Sequence, residues 1–296
     1  MTAIATENLG KRYGRRWALQ NCTLSVPKGH VVGLVGANGA GKTTLLHLVV
    51  GLLEPTEGSM TVLGTRPGAG TDLLARVGFV AQDAPVYRSL TVAEHLRLGQ
   101  RLNPHWDQHL AAQRIERLGL EHRQRAGRLS GGQRAQVALT MAMGKRPELL
   151  VLDEPVSSLD PLARREFLQD LMELVADHEP TVVLSSHLLS DVERVCDHLI
   201  VLADGQVRLD GPVDGLLTSH KLLTGPRRDA SSIPRDQHLI HVSHTDRQTT
   251  MLVRTTQPIL DPRWVVADVG LEELVLAYMS ASRSVGPAPE LTAVRR

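Results

Sequence analysis

The architecture of the chain follows from one short stretch of sequence, Gly36-Ala37-Asn38-Gly39-Ala40-Gly41-Lys42-Thr43-Thr44. It fits the pattern G-x-x-x-x-G-K-S/T, the phosphate-binding P-loop. Residues 31–35, just before it, are apolar like a buried strand, and residues 45–50 read as the opening of a helix. A strand, a glycine-rich loop and a helix in this order predict a nucleoside triphosphate site.

The residue types of this loop suit an anion. Glycines let backbone N–H groups turn inward around a phosphate, and the N-terminus of the following helix adds a partial positive charge. Lys42 supplies a point charge for the β- and γ-phosphates, and Thr43 offers a hydroxyl oxygen to Mg²⁺. A glycine-rich turn can match such a pattern by chance, but the flanking strand and helix favour phosphate binding.

The composition limits the class of protein. The chain has 296 residues, of which 42% are hydrophobic and 3% aromatic, so its core is built mainly from Leu, Val and Ala. The 33 basic and 32 acidic residues nearly balance, which gives no electrostatic case for nucleic acid as the main partner. Cys22 and Cys196 are too few for a disulfide framework, and they suit a reducing cytosol.

No stretch of the sequence is predicted to cross a membrane. The apolar run at 45–53 is broken by His47 and Gly51 and is far shorter than the roughly 20 residues that a spanning helix needs. Residues 1–7 lack the basic start and the long apolar core of a signal peptide. Any role at a membrane is therefore expected to require a partner.

Two residues near predicted strand ends are candidates for the nucleotide site. Residues 3–8 and 18–26 read as strands around a basic turn that contains Tyr13. The ring of Tyr13 either stacks on a base or packs locally. Gln82 ends a short apolar strand at 77–82, where a solvated loop amide is the alternative interpretation.

A second helix start suited to an anion lies well downstream of the P-loop. Leu129-Ser130-Gly131-Gly132-Gln133 precedes a helical run. Ser130 is a good N-cap, and two glycines at a helix start leave backbone N–H groups open to an anion. A bare Ser-Gly-Gly is usually a loop, so only its place among the other motifs distinguishes the two interpretations.

Two carboxylates follow an apolar strand at 149–152, the pattern of a buried parallel strand whose carboxyl end carries a site. After a P-loop, Asp153 can hold Mg²⁺ through water, and Glu154 can orient or deprotonate the attacking water. His187 follows another buried strand at 181–186, where it is either a surface residue or a contact for the γ-phosphate.

These patterns predict an α/β fold with a P-loop NTPase core. Its sheet is expected to be mainly parallel, with an antiparallel β subdomain, an α-helical subdomain at 90–120 and a small C-terminal α+β extension. The predicted domains are 1–217 and 218–280, with a linker at 224–236, and residues 281–296 are expected to be a disordered tail.

The motifs in this order resemble those of an ABC transporter ATP-binding subunit, of the export-type cassette. The P-loop is followed by Gln82, the five-residue signature 129–133, the acid pair, Asp160 and His187. The resemblance covers about residues 3–217. Each motif is weak alone, and the ordered set, above all the signature between P-loop and acid pair, is specific.

The resemblance implies a role for each candidate residue. Glu154 would be the catalytic carboxylate, His187 the switch histidine, and Gln82 the residue that touches Mg²⁺ and reports to a transmembrane partner. Mg²⁺ would be held by Thr43, Gln82 and Asp153. The residues that would bind ATP are Tyr13, Gly36, Ala37, Asn38, Gly39, Ala40, Gly41, Lys42, Thr43, Thr44, Ser130, Gly131, Gly132, Gln133 and Asp160.

The resemblance also implies partners. Ser130, Gly131 and Gly132 would bind the γ-phosphate of ATP held by an opposite cassette, identical or related, in a head-to-tail dimer around two ATPs. A separate transmembrane permease would place the chain at the cytoplasmic face of the cell membrane. Direct contact with nucleic acid is not expected.

Two departures from the family pattern are visible. Gln136 stands where Arg is common, and residues 156–160 read Val-Ser-Ser-Leu-Asp in place of Thr-Ser-Gly-Leu-Asp. Neither departure removes a phosphate, metal or water contact, so an active ATPase is expected.

The main alternative is a soluble ABC-type ATPase that acts on nucleic acid or the ribosome. Chromosome-maintenance members place a long coiled coil between P-loop and signature, and residues 45–128 contain none. Translation-factor members carry two cassettes, and this chain has one.

Two features resemble export cassettes: the Asp-Gly pairs at 204–205 and 210–211, and the short tail around 271–274. In such a system the transmembrane partner would set the cargo.

Overall fold

The computed structural model describes residues 1–68, 70–82, 86–227, 238–255 and 257–284. The chain divides into two compact units, Met1–Asp210 and Gly211–Arg296. The domain boundary expected at 217 stays a prediction. Most of the predicted tail, residues 285–296, lies outside the described residues.

The first unit alternates strands and helices. Its strands are β1 (Thr2–Tyr13), β2 (Arg16–Pro27), β3 (Val31–Val35), β4 (Glu57–Val62), β5 (Val77–Val80), β6 (Leu149–Asp153), β7 (Thr181–Ser186), β8 (His198–Ala203) and β9 (Gln206–Pro212). Its helices are α1 (Lys42–Val49), α2 (Thr71–Arg76), α3 (Val92–Leu102), α4 (Gln108–Arg117), α5 (Gly131–Met143), α6 (Pro161–His178) and α7 (Leu189–Val195), with a short 3₁₀ turn at Ala126–Arg128.

The central sheet has six strands in the order β5-β6-β7-β3-β8-β9, and β5, β6, β7, β3 and β8 run parallel. Every residue of β3, β6 and β7 is buried, as expected for strands covered on both faces. The P-loop follows β3 and the acid pair ends β6, so both motifs lie at the carboxyl edge of this sheet.

The first unit also contains a three-stranded antiparallel sheet in the order β2-β1-β4. The pairing of β1 with β2 continues to Tyr13 opposite Arg16, so β1 is longer than the strand predicted at 3–8. Apolar side chains of this sheet, of α1 and of the central sheet share one core, which includes Ile4, Leu48 and Ile200. The predicted antiparallel β subdomain is confirmed.

A helical layer formed by α3, α4 and α5 has a second core around Ile115 and Val137. The indole ring of Trp106 lies against two glycines of this layer. A Cβ would lie 2.4 Å from the ring at Gly99 and 2.6 Å from it at Gly144. The helical subdomain predicted at 90–120 is therefore extended by α5, which starts at the signature.

The second unit is α+β, as predicted. Its elements are α8 (Val213–Ser219), β10 (His220–Pro226), β11 (His238–His244), β12 (Gln248–Arg254), β13 (Val265–Asp268) and α9 (Leu271–Ser284). The four strands form an antiparallel sheet in the order β11-β12-β10-β13. Residues 224–226 of the stretch predicted as a linker at 224–236 belong to β10, which pairs with β12 and β13, and residues 228–236 of that stretch lie outside the described residues.

Candidate active site

The P-loop joins the end of β3 to the start of α1. At Gly36 a Cβ would lie 2.3 Å from the carbonyl oxygen of Leu202, so a side chain is excluded there. Gly41 is the N-cap of α1 with φ of 107°, in the left-handed region that favours glycine. These two glycines allow the turn that places Lys42 at the first position of the helix.

Lys42 contacts both the loop and the acid pair. Its side chain is 5% exposed, and its Nζ donates to the carbonyl oxygen of Gly36 at 2.9 Å. The same Nζ lies 3.3 Å from Oε1 of Glu154. Charges this close attract strongly where little water intervenes. The lysine of the P-loop and the predicted catalytic carboxylate therefore form an ion pair, although they follow different strands of the sheet.

The acid pair is held by a residue that the sequence did not single out, Ser185. Its hydroxyl donates to Oδ1 of Asp153 at 2.7 Å and accepts the backbone N–H of Glu154 at 2.8 Å. Asp153 pairs with Ser185 in the register of β6 and β7. Only this register identifies the contact, since Ser185 looks like any other residue of a buried strand.

His187 contacts the second oxygen of the predicted catalytic carboxylate. Its Nδ1 lies 3.1 Å from Oε2 of Glu154, and its side chain is 42% exposed. Glu154 thus has Lys42 beside one oxygen and the imidazole beside the other. A carboxylate held in this way is suited to orient a water molecule and to accept its proton.

These groups face a cleft of about 750 Å³. The predicted residues Tyr13, Gln82, Glu154 and His187 all line it. The P-loop residues along its wall are Asn38, Gly39, Gly41, Lys42, Thr43 and Thr44. The structure therefore brings together, in one cavity, residues that the sequence places in five separate segments.

An aromatic edge borders the same cleft. Tyr13 is 50% exposed, and the Nζ of Lys11 lies 5.6 Å from the centre of its ring. Trp17 and Arg16 also line the cleft, and the guanidinium of Arg12 lies 5.2 Å from the indole ring. The sequence prediction missed Trp17 and Arg16, although Arg16 ends the basic turn around Tyr13 that it did identify and Trp17 follows directly.

The three oxygen donors implied for Mg²⁺ lie on three segments around this cleft. Thr43 and Gln82 line it, and Asp153 is buried at the end of β6. Hydroxyl, amide and carboxylate oxygens are the donors that Mg²⁺ accepts, with water completing its shell. This donor set fits the metal. Among the residues that the structure describes, no group of three or more His, Cys, Asp or Glu side chains could hold another ion.

The signature lies elsewhere in the unit. Ser130 caps α5, and its Oγ accepts the N–H of Gln133 at 3.1 Å while its own N–H donates to Oε1 of Gln133 at 2.9 Å. Gly131 is the first residue of α5. Ser130, Gly132 and Gln133 line a separate cleft of about 380 Å³, together with Ala163. Among the described residues, the signature and the P-loop thus line two different clefts.

Three other predicted ATP contacts, Asp160, Ala37 and Ala40, have local structural roles. Oδ1 of Asp160 accepts the N–H groups of Leu162 and Ala163, both at 3.0 Å, and so caps α6. Ala40 is buried, and its N–H donates to the carbonyl oxygen of Ala37 at 3.0 Å. Their contact with ATP stays a prediction.

Comparison with known proteins agrees with this geometry. A family model described as ABC transporter matches residues 19–157. The bacitracin transport ATP-binding protein BcrA of Bacillus licheniformis is 30% identical over 218 residues, which cover 73% of this chain and 71% of that protein. The chain belongs to the ABC transporter family. It is an ATP-binding cassette of the kind that hydrolyses ATP.

Another relative of this ABC cassette is named for import. A phosphonates import ATP-binding protein of Rhodopseudomonas palustris (strain HaA2) is 38% identical over 235 residues, covering 72% of this chain and 83% of that protein. Among solved structures, an ATP-binding subunit of an ABC transporter has a TM-score of 0.66 at 29% identity and covers 73% of this chain and 92% of its own. A dimeric bacterial ABC transporter cassette has a TM-score of 0.63 at 27% identity, covering 71% and 98%.

These likenesses confirm the family and the P-loop fold that the ordered motifs predicted. Within the described part of the cassette, no helix has both the length and the apolar character to cross a membrane.

Proposed function

We propose that this cassette drives a separate transmembrane permease, and that two cassettes close around two ATP molecules. One observation carries the proposal: the signature at Ser130–Gln133 lines a different cleft from Lys42 and Glu154. Each of the two clefts would form half of a phosphate site. A second cassette placed head-to-tail would bring its signature to the P-loop of the first and complete the site. The likeness to a dimeric cassette supports this arrangement.

The P-loop would bind the triphosphate. Lys42 has its charge at the mouth of the loop, where it can exchange the carboxylate of Glu154 for the β- and γ-phosphates. Mg²⁺ held by Thr43, Gln82 and, through water, Asp153 would neutralise phosphate charge. Tyr13, half exposed at the cleft edge, would stack on the adenine.

Hydrolysis would follow from the position of Glu154. Once Lys42 binds phosphate, the carboxylate is free to accept a proton from the attacking water. His187, 3.1 Å from Oε2 of Glu154, is placed to contact the γ-phosphate. ATP contacts both halves only in the closed dimer, so it shifts the population toward closure, and cleavage of the γ-phosphate allows reopening.

An apolar groove of about 330 Å³ beside β5 is the proposed docking surface for the permease. Leu52, Leu74 and Tyr87 line it and are all more than half exposed, at 63%, 53% and 65%. Gln82 follows β5, which forms one wall, so the groove adjoins the ATP cleft. Exposed apolar residues concentrated in one groove mark a protein contact. A helical segment at the membrane surface of the permease is the proposed occupant.

The docking surface can be tested with Leu74→Asp. We expect this variant to lose co-purification with the permease, because docking of an apolar segment would bury an unpaired charge. Its affinity for ATP should be unchanged. Leu162→Asp, at an exposed leucine of α6 outside the groove, is the matched control. Normal co-purification of Leu74→Asp would contradict the groove as the docking surface.

We propose export as the direction of transport and the cytoplasmic face of the membrane as the location. The support is the resemblance of 204–211 and of the short tail to export cassettes. The relatives include both a bacitracin transport protein and a phosphonates import protein. Vesicles that contain the co-purified permease, with cassettes facing outward, should accumulate substrate inside only if the system exports.

We propose residues 218–280 as an accessory domain that contacts the permease or the second cassette. Its support is the separate α+β unit with its own core around Leu223, Met251 and Trp264. A chain that ends at Pro212, the last residue of β9, should keep ADP affinity and lose assembly or ATPase rate. Unchanged assembly and rate would contradict the accessory role.

The decisive experiment for the whole proposal is Glu154→Gln. The amide keeps the size of the side chain and cannot accept the proton, so we expect turnover to fall by about 10²- to 10⁴-fold. ATP should still induce dimers, which size-exclusion chromatography with light scattering measures. Glu57→Gln, at an exposed position of β4, is the control. Wild-type turnover in Glu154→Gln, or a monomer in saturating ATP, would refute the mechanism.

A further inference from the structure

A buried polar cluster lies outside the ATP cleft, where α4, α5 and α6 pack together. Arg114 of α4 is 8% exposed. Its guanidinium donates to Oε1 of Gln136 through Nη2 and to the hydroxyl of Thr140 through Nε, the latter at 3.1 Å. Both acceptors lie on α5, the helix that begins at the signature. Arg114 thus joins α4 to α5, the signature helix, through two hydrogen bonds.

α6 joins the cluster through Asp170. Nε2 of Gln136 donates to Oδ2 of Asp170 at 2.7 Å, and Nη2 of Arg114 lies 3.5 Å from the same oxygen. Burial lowers the pKa of Arg114, and the carboxylates of Asp170 and Glu173 oppose that effect. A charge this deep is stable only where such groups compensate it. One guanidinium therefore ties three helices together.

The cluster lies on the two helices, α5 and α6, whose starts the proposed dimer uses. Gln136 follows Gln133 of the signature by about one helical turn, and α6 starts at its cap, Asp160. The two starts are in contact, because a Cβ on Gly132 would lie 3.1 Å from the Cβ of Ala163. A rotation of α5 against α6 would therefore move the signature relative to the loop that ends at Asp160.

Position 136 is also one of the departures from the family pattern, with Gln in place of the common Arg. In this structure Arg114 of α4 supplies a guanidinium beside Gln136. The amide of Gln136 accepts from this guanidinium and donates to Asp170. The chain therefore keeps a positive charge between α5 and α6 and supplies it from α4.

We propose that Arg114 is a positioning residue for ATP-dependent closure: it sets α5 against α6, so that Ser130–Gln133 meets the ATP of the second cassette. Arg114 acts through Gln136 and Asp170 and itself lies outside the ATP cleft. The inference rests on the proposed function, because closure is the step at which the signature acts.

Arg114→Met tests this role, since it keeps an unbranched side chain and removes the guanidinium. In the Glu154→Gln background, the ATP concentration for half-maximal dimerisation should rise about tenfold, in line with coupling energies between contacting polar groups. Affinity for ADP, which reports the P-loop without closure, should be unchanged. In the chain with native Glu154, KM for ATP should rise and kcat at saturating ATP should change little.

Two further variants separate positioning from general stability. Arg114→Gln combined with Gln136→Arg returns a guanidinium beside Asp170 and should restore dimerisation at the original ATP concentration. Arg101→Met, the same change at an exposed position of α3, should have no effect. Circular dichroism shows whether Arg114→Met is folded at the assay temperature. If it is unfolded, Asp170→Asn tests the same interaction from α6.

Each outcome is decisive. Dimerisation of folded Arg114→Met, or of Asp170→Asn, at unchanged ATP concentration overturns the positioning role. An equal loss of ADP affinity and dimerisation also overturns it, since it indicates a general defect of the fold. If Glu154→Gln alone does not dimerise with ATP, the proposed function fails, and that result is independent of Arg114.

Discussion

The hydroxyl of Ser185 accepts a hydrogen bond from the backbone N–H of Glu154 at 2.8 Å. Glu154 has φ of 45°, a conformation that a residue with a side chain adopts rarely. The same hydroxyl donates to Asp153 at 2.7 Å. Ser185 therefore stabilises the bend after β6 that leaves the Glu154 carboxylate between Lys42 and His187.

Ser185→Ala should lower kcat by up to about tenfold, the equivalent of one hydrogen bond between uncharged groups, because the backbone N–H of Glu154 loses the acceptor that holds it. The free energy of unfolding should fall by about 1–3 kcal/mol, since buried Asp153 loses a donor. ATPase assays and urea unfolding measure the two effects. Ser59→Ala, at an exposed position of β4, is the control. A variant with native kcat would show that Glu154 keeps its position without this serine.

Lys42→Ala should weaken ATP binding by roughly 10- to 150-fold, the equivalent of about 1.5–3 kcal/mol for a charged hydrogen bond. The affinity falls because the phosphates lose the point charge for which Lys42 would exchange its ion pair with Glu154, 3.3 Å away in this structure. Isothermal titration calorimetry measures the affinity. Lys28→Ala is the matched control, because Lys28 pairs with Glu148 on the surface. Unchanged affinity in Lys42→Ala would count against the P-loop interpretation.

Tyr13→Ala should weaken ATP binding by about 1–3 kcal/mol, the range for a base stacked on an aromatic ring. Inorganic triphosphate, which has no base, should bind the variant and the native protein equally. Competition binding with the two ligands measures the difference. Tyr87→Ala, an exposed tyrosine of the docking groove, should leave both affinities unchanged. Equal ATP affinity in Tyr13→Ala would assign base contact to another group at this edge, such as Trp17.

His220 of the second unit is buried with a defined partner on each ring nitrogen. Its Nδ1 lies 2.7 Å from the carbonyl oxygen of Leu216, which can only accept, so Nδ1 carries the proton. Nε2 then accepts from the hydroxyl of Tyr278 at 2.9 Å. Burial lowers the pKa of His220, a backbone hydrogen bond to Leu216 opposes this, and the charge of Arg254 lowers it further.

The neutral imidazole makes the stability of this unit depend on pH. In the unfolded chain the pKa of His220 is about 6.5, and in the folded unit it is lower. The neutral imidazole therefore contributes its full stabilisation of the fold above about pH 6.5, and this contribution is lost as the pH falls toward the folded pKa. Hydrogen exchange of the β10 and β12 amides should therefore accelerate below about pH 6, after correction for the intrinsic rate. His220→Gln should reduce this dependence, and His238→Gln, at an exposed position, should not. An identical pH dependence in His220→Gln would assign the effect to another group.

Local patterns were sufficient for the fold class and for most of the ATP cleft. The P-loop glycines, the apolar strand before Asp153 and the Ser130 cap each follow from the conformational preferences of adjacent residues, which a single sequence displays. These preferences did not predict β10 or β13, because those strands are stabilised by pairing with segments that are distant in the chain.

The sequence by itself determined that this protein binds and cleaves a nucleoside triphosphate, since residue types and their order carry that chemistry. Only the tertiary structure decided which side chains hold the chemistry in place. Ser185 meets Asp153 through the register of two parallel strands, and Arg114 meets Gln136 through the packing of two helices. Such contacts join residues 32 and 22 positions apart, and no local preference specifies them.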